Sequence, residues 1–270
     1  MMGTPLTEGK HLWIDRTSNN WKEIMMSLID EIWKDHEKLK TDALYLRDFP
    51  VDDIEIRDYF IDRGFLKIDM PNTHIIEPLD WNNPTEFLGQ LSPKKRNRLK
   101  REVLRFEDLF ETRIVSKATD HEIEHWYTLY QNIQKHSLKV DTFLLPIKLF
   151  YEAAKHPNIE AIELKLKSEV DQRVPRLPVA IGLVYKSQNN YCPWLLGLDY
   201  NFKEYGVYRQ LLFQAILRAK QLGKHKIYLG LTANEEKEKF GAKSIPMVAY
   251  IQVKDNFNLS VIGLMQANKI

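Results

Sequence analysis

Three apolar runs of strand length, 160–167, 178–186 and 191–199, succeed one another with no helical segment between them. A helical pattern over 207–221 and a fourth apolar run at 226–232 then follow. This order limits the fold more than any other feature of the chain. A doubly wound parallel sheet needs a helix between successive strands, whereas a meander followed by one helical crossover makes a mixed sheet. Asn189–Asn190 supplies a hairpin turn between the second and third runs. The expected class is α/β in the layered, α+β sense: a mixed sheet flanked by helices.

The earlier residues fit the same class. Trp21, Ile24, Met25, Leu28, Ile29 and Ile32 recur at helical spacing and predict a helix over 20–39. Ala43–Phe49 reads as a strand closed by Pro50, and Asp52–Asp53 cap a helix that Gly64 stops. Residues 65–79 hold strand material on either side of Pro71. Asn83–Pro84 opens a helix over 84–90, and Ser92–Pro93 opens a longer one to Phe110. Further on, Thr112–Val115 is a strand, helices follow at 121–136 and 144–154, and a short helix over 234–240 precedes a strand at 246–253. Residues 256–270 read as a short helix or a tail. The first 110 residues form a looser strand–helix alternation, so two domains are expected, a shortened first half at 1–110 and a second half at 111–270.

Composition narrows the function classes. A net charge of +2 gives no general argument for a nucleic-acid partner, so any such argument must rest on a local cluster. The single cysteine, Cys192, excludes an intramolecular disulfide and a cysteine-rich metal site. His121 and His125 are four apart on one helix but lack a third ligand, so no metal is expected. No stretch reaches the ~20 apolar residues of a membrane span, and the expected location is the cytoplasm.

The junction "DYNFKEYGVYRQ" hands a strand to a helix through one glycine, Gly206. Tyr208, Leu211, Leu212, Ala215, Ile216, Ala219 and Leu222 make the buried stripe of that helix, and packing alone accounts for them. The loop is left unexplained. Amides over 206–209 have no intrahelical partner and, with the helix dipole behind them, favour a pyrophosphate, to which Lys203 and Arg209 add charge.

These residues carry a resemblance. Gly197–Leu198–Asp199–Tyr200, Tyr205–Gly206–Val207–Tyr208, Ala219–Gly223, Leu229–Ala233 and the set Lys237, Phe240, Gly241, Ala242 together resemble the GNAT acyltransferase superfamily, in particular its FemAB-like branch. "LSPKKRNRLKREVLRFED" (91–108) is similar to the basic helix before the catalytic half of that branch. The resemblance implies two GNAT-like halves, the first shortened. It also implies strands 191–199 and 226–232 that splay apart around an acyl thioester, with acyl-CoA or CoA as co-substrate and no metal. The loop departs from the commoner one, which has two or three glycines, and this leaves acyl-CoA, another thioester and aminoacyl-tRNA open as donors.

The implied chemistry is acyl transfer to an amine. Gly197, Leu198, Lys203, Gly206, Val207, Tyr208, Arg209 and Lys237 are the expected donor-binding positions. Amides near Gly197–Leu198 would stabilise the oxyanion. Asp199 is the first candidate base, or else merely caps the loop. His136 is the second, or else a dipole partner at its helix end. Tyr205 and Tyr208 lie near enough in sequence to reach the thioester, although Tyr208 belongs to the apolar stripe. The segment ANEEKEKFGA has Phe240 where many relatives carry a tyrosine acid, and Lys237 meets a phosphate there or is a surface lysine. Residues 94–105 hold seven Lys or Arg in twelve positions. They form a solvated face, or they contact an anionic lipid surface, a cofactor phosphate or tRNA. The expected acceptor is a small amine or lipid amine, and a non-catalytic binding domain is the alternative from another class.

Overall fold

The computed structural model describes residues 8–9, 12–41, 43–136, 144–170 and 177–253. The expectation for 256–270 falls outside them. In chain order the elements are α1 (Trp21–Leu39), β1 (Ala43–Pro50), α2 (Ile54–Ile61), β2 (Leu66–Ile76), α3 (Pro84–Gln90) and α4 (Pro93–Glu102). A 3-10 helix (Leu104–Leu109), β3 (Phe110–Val115), α5 (Asp120–His136), α6 (Ile147–Lys155), β4 (Ile159–Leu166), β5 (Ala180–Lys186) and β6 (Asn190–Leu198) follow. A second 3-10 helix (Tyr200–Tyr205), α7 (Val207–Gln221), β7 (Lys226–Tyr228), α8 (Asn234–Lys239) and β8 (Lys243–Val253) complete the order.

The capping chemistry read from the sequence is present. Asp53 accepts from the Ile56 N–H, Asn83 from Glu86 and Ser92 from Lys95, with Pro84 and Pro93 in the first turns of their helices. Two expectations differ. The helix expected to run to Phe110 stops at Glu102, because Val103 leaves helical geometry (φ −126°, ψ −66°) and the chain tightens into a 3-10 turn. That turn lays Leu104, Phe106 and Leu109 against the core. Strand β2 also runs unbroken through Pro71, which lies exposed within it.

Among the described residues two compact units are present, one of residues 73–244 and one of residues 8–72 with 245–253. They do not divide at 110/111. Residues 73–110 share one apolar cluster with α7, since Ile76, Phe87, Leu99 and Phe110 join Leu211 and Phe213 in it. In the smaller unit, β1 and β8 are antiparallel, and Phe49, Phe60, Phe65 and Tyr250 form an aromatic cluster under α1 and α2.

The larger unit holds the mixed sheet, ordered from the end of β2 through β7, β6, β5 and β4 to β3. All neighbours are antiparallel except β6 and β7. Side chains alternate between its faces. Ile162, Leu164, Ala180 and Val184 pack with α7, whereas Ala161, Ile181, Leu183 and Leu195 pack with Trp126, Leu129 and Phe150 of α5 and α6.

Candidate active site

Strands β6 and β7 are paired only at Asn190↔Lys226 and Tyr191↔Ile227. Beyond those rungs β6 continues to Leu198, but β7 ends at Tyr228, and the Leu229 N–H donates to the His74 carbonyl of β2 at 2.8 Å. The strands therefore part, as expected for 191–199 and 226–232, although the regular part of β7 is shorter than the sequence suggested. Groups alternate along an antiparallel ladder. The Asp199 N–H donates to the Val179 carbonyl at 2.8 Å, so the Leu198 amide group faces away from β5, into the side that β7 has left. There Asn132 Nδ2 donates to the Leu198 carbonyl at 3.1 Å.

The closed end of the gap is pinned by charge. Glu160 Oε1 accepts from Tyr191 Oη at 2.7 Å and from Arg218 Nε at 3.0 Å, and its Oε2 accepts from Lys186 Nζ at 3.0 Å. Burial pushes the Glu160 carboxyl up, but hydrogen bonds from Arg218, Tyr191 and Lys186 outweigh it and hold the group below the ordinary carboxylate value. Gly197 serves packing. A Cβ there would lie 2.7 Å from Leu129 Cβ and 2.8 Å from the Tyr130 nitrogen, so α5 occupies its space.

At the loop, Asp199 Oδ1 accepts the Asn201 N–H at 3.0 Å and caps the 3-10 turn that follows. Gly206 takes φ +68° and starts α7 without a side-chain cap. A Cβ on it would stand 3.1 Å from the Glu102 carbonyl oxygen and 3.6 Å from Phe106, so the end of α4 packs closely against the glycine. Arg209 is held by Glu236 at 2.5 and 3.1 Å and lies 3.7 Å from Glu102 Oε2. Arg209 first, with Lys239 also bonded, holds Glu236 down to about 2. Val207 is buried and Lys203 is exposed. Two carboxylates beside the helix N-terminus and a guanidinium already neutralised do not fit the pyrophosphate of CoA. The loop's glycine is explained by its φ and by α4.

The proposed acid–base groups are distributed around the gap. The His136 ring stacks on Tyr200 with centroids 4.1 Å apart, and its Nδ1 lies 2.8 Å from the Asn132 carbonyl, so His136 and Asp199 flank Tyr200 at the end of β6. Tyr205 packs edge-on against Phe106. Burial pushes the Tyr208 phenol up, with Glu236 and Tyr200 adding to the shift, and the residue packs against the core cluster of α7. Lys237 is 2% exposed, not the surface lysine of the simpler reading.

One residue was missed. His74, read only as strand material, is fully buried, with Nδ1 3.1 Å from the Gly230 carbonyl. Burial lowers its pKa, against the hydrogen bond to the Gly230 carbonyl and with a smaller contribution from Lys237. A histidine within an otherwise apolar run, His74–Ile75–Ile76, was the available signal.

Helix α4 uses its charges in two ways. Arg96 donates to the carbonyls of Leu88, Gly89 and Leu91 at 3.0, 3.2 and 3.1 Å, and Arg98 and Arg101 brace Glu102. Lys94, Lys100 and Arg105 are exposed. Between β2, α3 and the residues after α8 lies a groove of about 340 Å³, with Ile76, Phe87, Leu91 and Phe240 as apolar lining and Glu77, Asp80, Lys95 and Lys243 as charged lining. Among the described residues, no helix is long and apolar enough to cross a membrane.

A family model described as "Acetyltransferase (GNAT) domain" matches residues 93–238, more than half of the chain. A search of curated proteins finds no match. Among solved structures the chain is similar to FemX, at 12% identity and a TM-score of 0.61, over 89% of this chain and 79% of that one. It is also similar to L-PGS from Bacillus licheniformis, at 12% identity and 0.59, over 92% and 78%. A third is the C-terminal domain (DUF2156) of a proposed lysylphosphatidylglycerol synthetase from Agrobacterium fabrum, at 12% and 0.58, over 94% and 78%. At these identities the likeness is one of fold.

Proposed function

The chain belongs to the GNAT acetyltransferase domain family and is an acyltransferase, and on that premise we propose that it moves an acyl group to an amine within the gap between β6 and β7. The observation that carries this reading is the parting of those strands after two rungs, which turns the Leu198 amide toward unpaired space. A carbonyl oxygen seated there gains a fixed dipole as charge develops on it. Asp199 and His136, at the end of β6, attract the acceptor as an ammonium ion and take its first proton.

The donor we favour is an aminoacyl ester carried by tRNA. Support comes from Arg209, already engaged by Glu236, and from the end of α4 against Gly206, which together suit a CoA pyrophosphate poorly. Tyr208 points the same way. A phenol raised by burial is a weak acid for a thiolate but matches the more basic alkoxide released from an ester. Lys94, Lys100 and Arg105 of the basic segment 94–105 are then the phosphate-facing charges, for tRNA or for an anionic membrane surface. The groove by Phe87 and Phe240 suits a long-chain amine, in keeping with a neighbour named for lysylphosphatidylglycerol synthesis. Such a donor places the protein in the cytoplasm.

The test is transfer of label from aminoacyl-tRNA or from acetyl-CoA to phosphatidylethanolamine vesicles and to soluble amines. Transfer from the ester alone is expected. Transfer from acetyl-CoA alone restores CoA as co-substrate, and binding without transfer from either leaves a non-catalytic domain.

A further inference from the structure

Strand β6 carries a proline, Pro193, just beyond its last rung with β7 at Tyr191. A proline has no N–H to give a ladder, so within sheets it is confined to edges and bulges. β6 is not an edge strand, since β5 pairs with it from Tyr191 to Leu198. The side of β6 on which the donor is missing then decides what the proline does.

Hydrogen-bonding groups alternate sides along a strand. The Lys226 N–H donates to the Asn189 carbonyl at 3.2 Å, so residues 189, 191 and 193 are those whose backbone groups face β7. On the opposite lip, Leu229 turns its N–H to His74 of β2, so the backbone groups of Tyr228 face β6. After Asn190↔Lys226 and Tyr191↔Ile227, the next bond of a parallel ladder would run from the N–H of residue 193 to the Tyr228 carbonyl. Pro193 cannot make it. The strands part at the first rung that needs the missing donor.

Trp194 completes the arrangement. Val184 pairs with Pro193 and Leu183 with Leu195, which makes Trp194 an extra residue on β6. A one-residue bulge exchanges the sides of the strand. Before it, residues 191 and 193 face β7. After it, 196 and 198 do, in agreement with the bond from the Asp199 N–H to the Val179 carbonyl.

We propose that Pro193 is a positioning residue for the acyl transfer. By withholding one N–H it stops β7 from closing further on β6, and so keeps the Leu198 amide open to the acyl carbonyl oxygen. This rests on the acyltransferase reading above. Any residue with an N–H at 193 would add a third rung. Rungs recur every two residues, so the closed end of the gap would advance about 6–7 Å toward Leu198.

The experiment supplies the missing N–H in the intact chain, as Pro193→Ala and separately as Pro193→Val. The first arm needs no donor: crystal structures of the parent and both variants are compared. A bond of about 2.9 Å from the nitrogen of residue 193 to the Tyr228 carbonyl is expected. Strands that still part after two rungs in both variants overturn the proposal. The second arm measures turnover with whichever donor the parent uses, together with Tm. Turnover should fall about 10²-fold, the scale set by a misplaced reacting group. Tm should stay within about 4 °C of the parent, because the change adds a bond to the sheet and removes little packing. A purely structural proline would lose both together. Turnover within threefold of the parent, a rate that falls only along with Tm, or failure of both variants to fold refutes the proposal. A parent that transfers nothing from any donor defeats the acyltransferase reading, while the crystal structures still judge Pro193.

Discussion

The Tyr191 hydroxyl donates to Glu160 Oε1 at 2.7 Å, one residue from the point where β6 and β7 begin to part. A buried carboxylate of β4 thus ties β6 at the rung where the gap closes, and Arg218 carries the tie to α7.

Glu160→Gln should therefore cost more than its size suggests. It leaves Arg218 and Lys186 facing a neutral amide, and breaking a buried pair costs about 3–5 kcal/mol. Because those cations are about one-fifth exposed, the lower end is expected by urea unfolding. Tyr191→Phe, which removes one hydrogen bond to a charged group, should cost about 1.5–3 kcal/mol.

The same pair sets an acid limit. Glu160 is held below the ordinary 4.5 in the folded protein, so its contribution is complete above that value and lost as pH falls through the lower folded one. Stability of the parent should fall more steeply than that of Glu160→Gln below about pH 4.5. Parallel slopes in urea titrations would contradict the assignment.

Gly206 and Gly197 should report on packing. Gly206→Ala forces an L residue to φ +68° against the Glu102 carbonyl, at a cost of about 1–2 kcal/mol. Gly197→Ala drives a Cβ into the backbone of α5 and should cost about 1–3 kcal/mol. Thermal melts check both.

The CoA pyrophosphate should find no purchase on the parent. A ligand at 100 times its Kd would add about 2.7 kcal/mol. Millimolar CoA is expected to leave Tm unchanged, and a clear shift would show that Arg209 exchanges Glu236 for phosphate.

The charges of α4 should separate by role. Lys100→Glu and Lys94→Glu are expected to weaken binding of tRNA or anionic vesicles, and to reduce its salt dependence, without changing Tm. Arg96→Ala should lower Tm, because three carbonyls at the α3–α4 junction lose their donor.

Most of the sheet was legible because continuous apolar runs, buried almost throughout, and the Asn189–Asn190 turn are local signals. Helices α3 and α4 announced themselves through Asn83–Pro84 and Ser92–Pro93. The break at Val103 was not legible, since the apolar spacing of Leu99, Val103 and Phe106 suits a continuous helix and only the packing of Phe106 and Gly206 decides otherwise. The site was legible where it depends on chain order, as in the parting strands. The burial of His74 was hidden because its hydrogen-bond partner, the Gly230 carbonyl, lies 156 positions away in sequence.

The two-rung attachment of β7 to β6 also sets a hierarchy of local opening. The lip formed by β6 is anchored along its other edge by the β5 ladder and by a buried carboxylate, whereas Leu229 and Gly230 hang on His74 of β2. Amide hydrogen exchange should thus be slow at Tyr191 and faster at Leu231 and Thr232, so that the aperture changes width by movement of one lip while the other stays still.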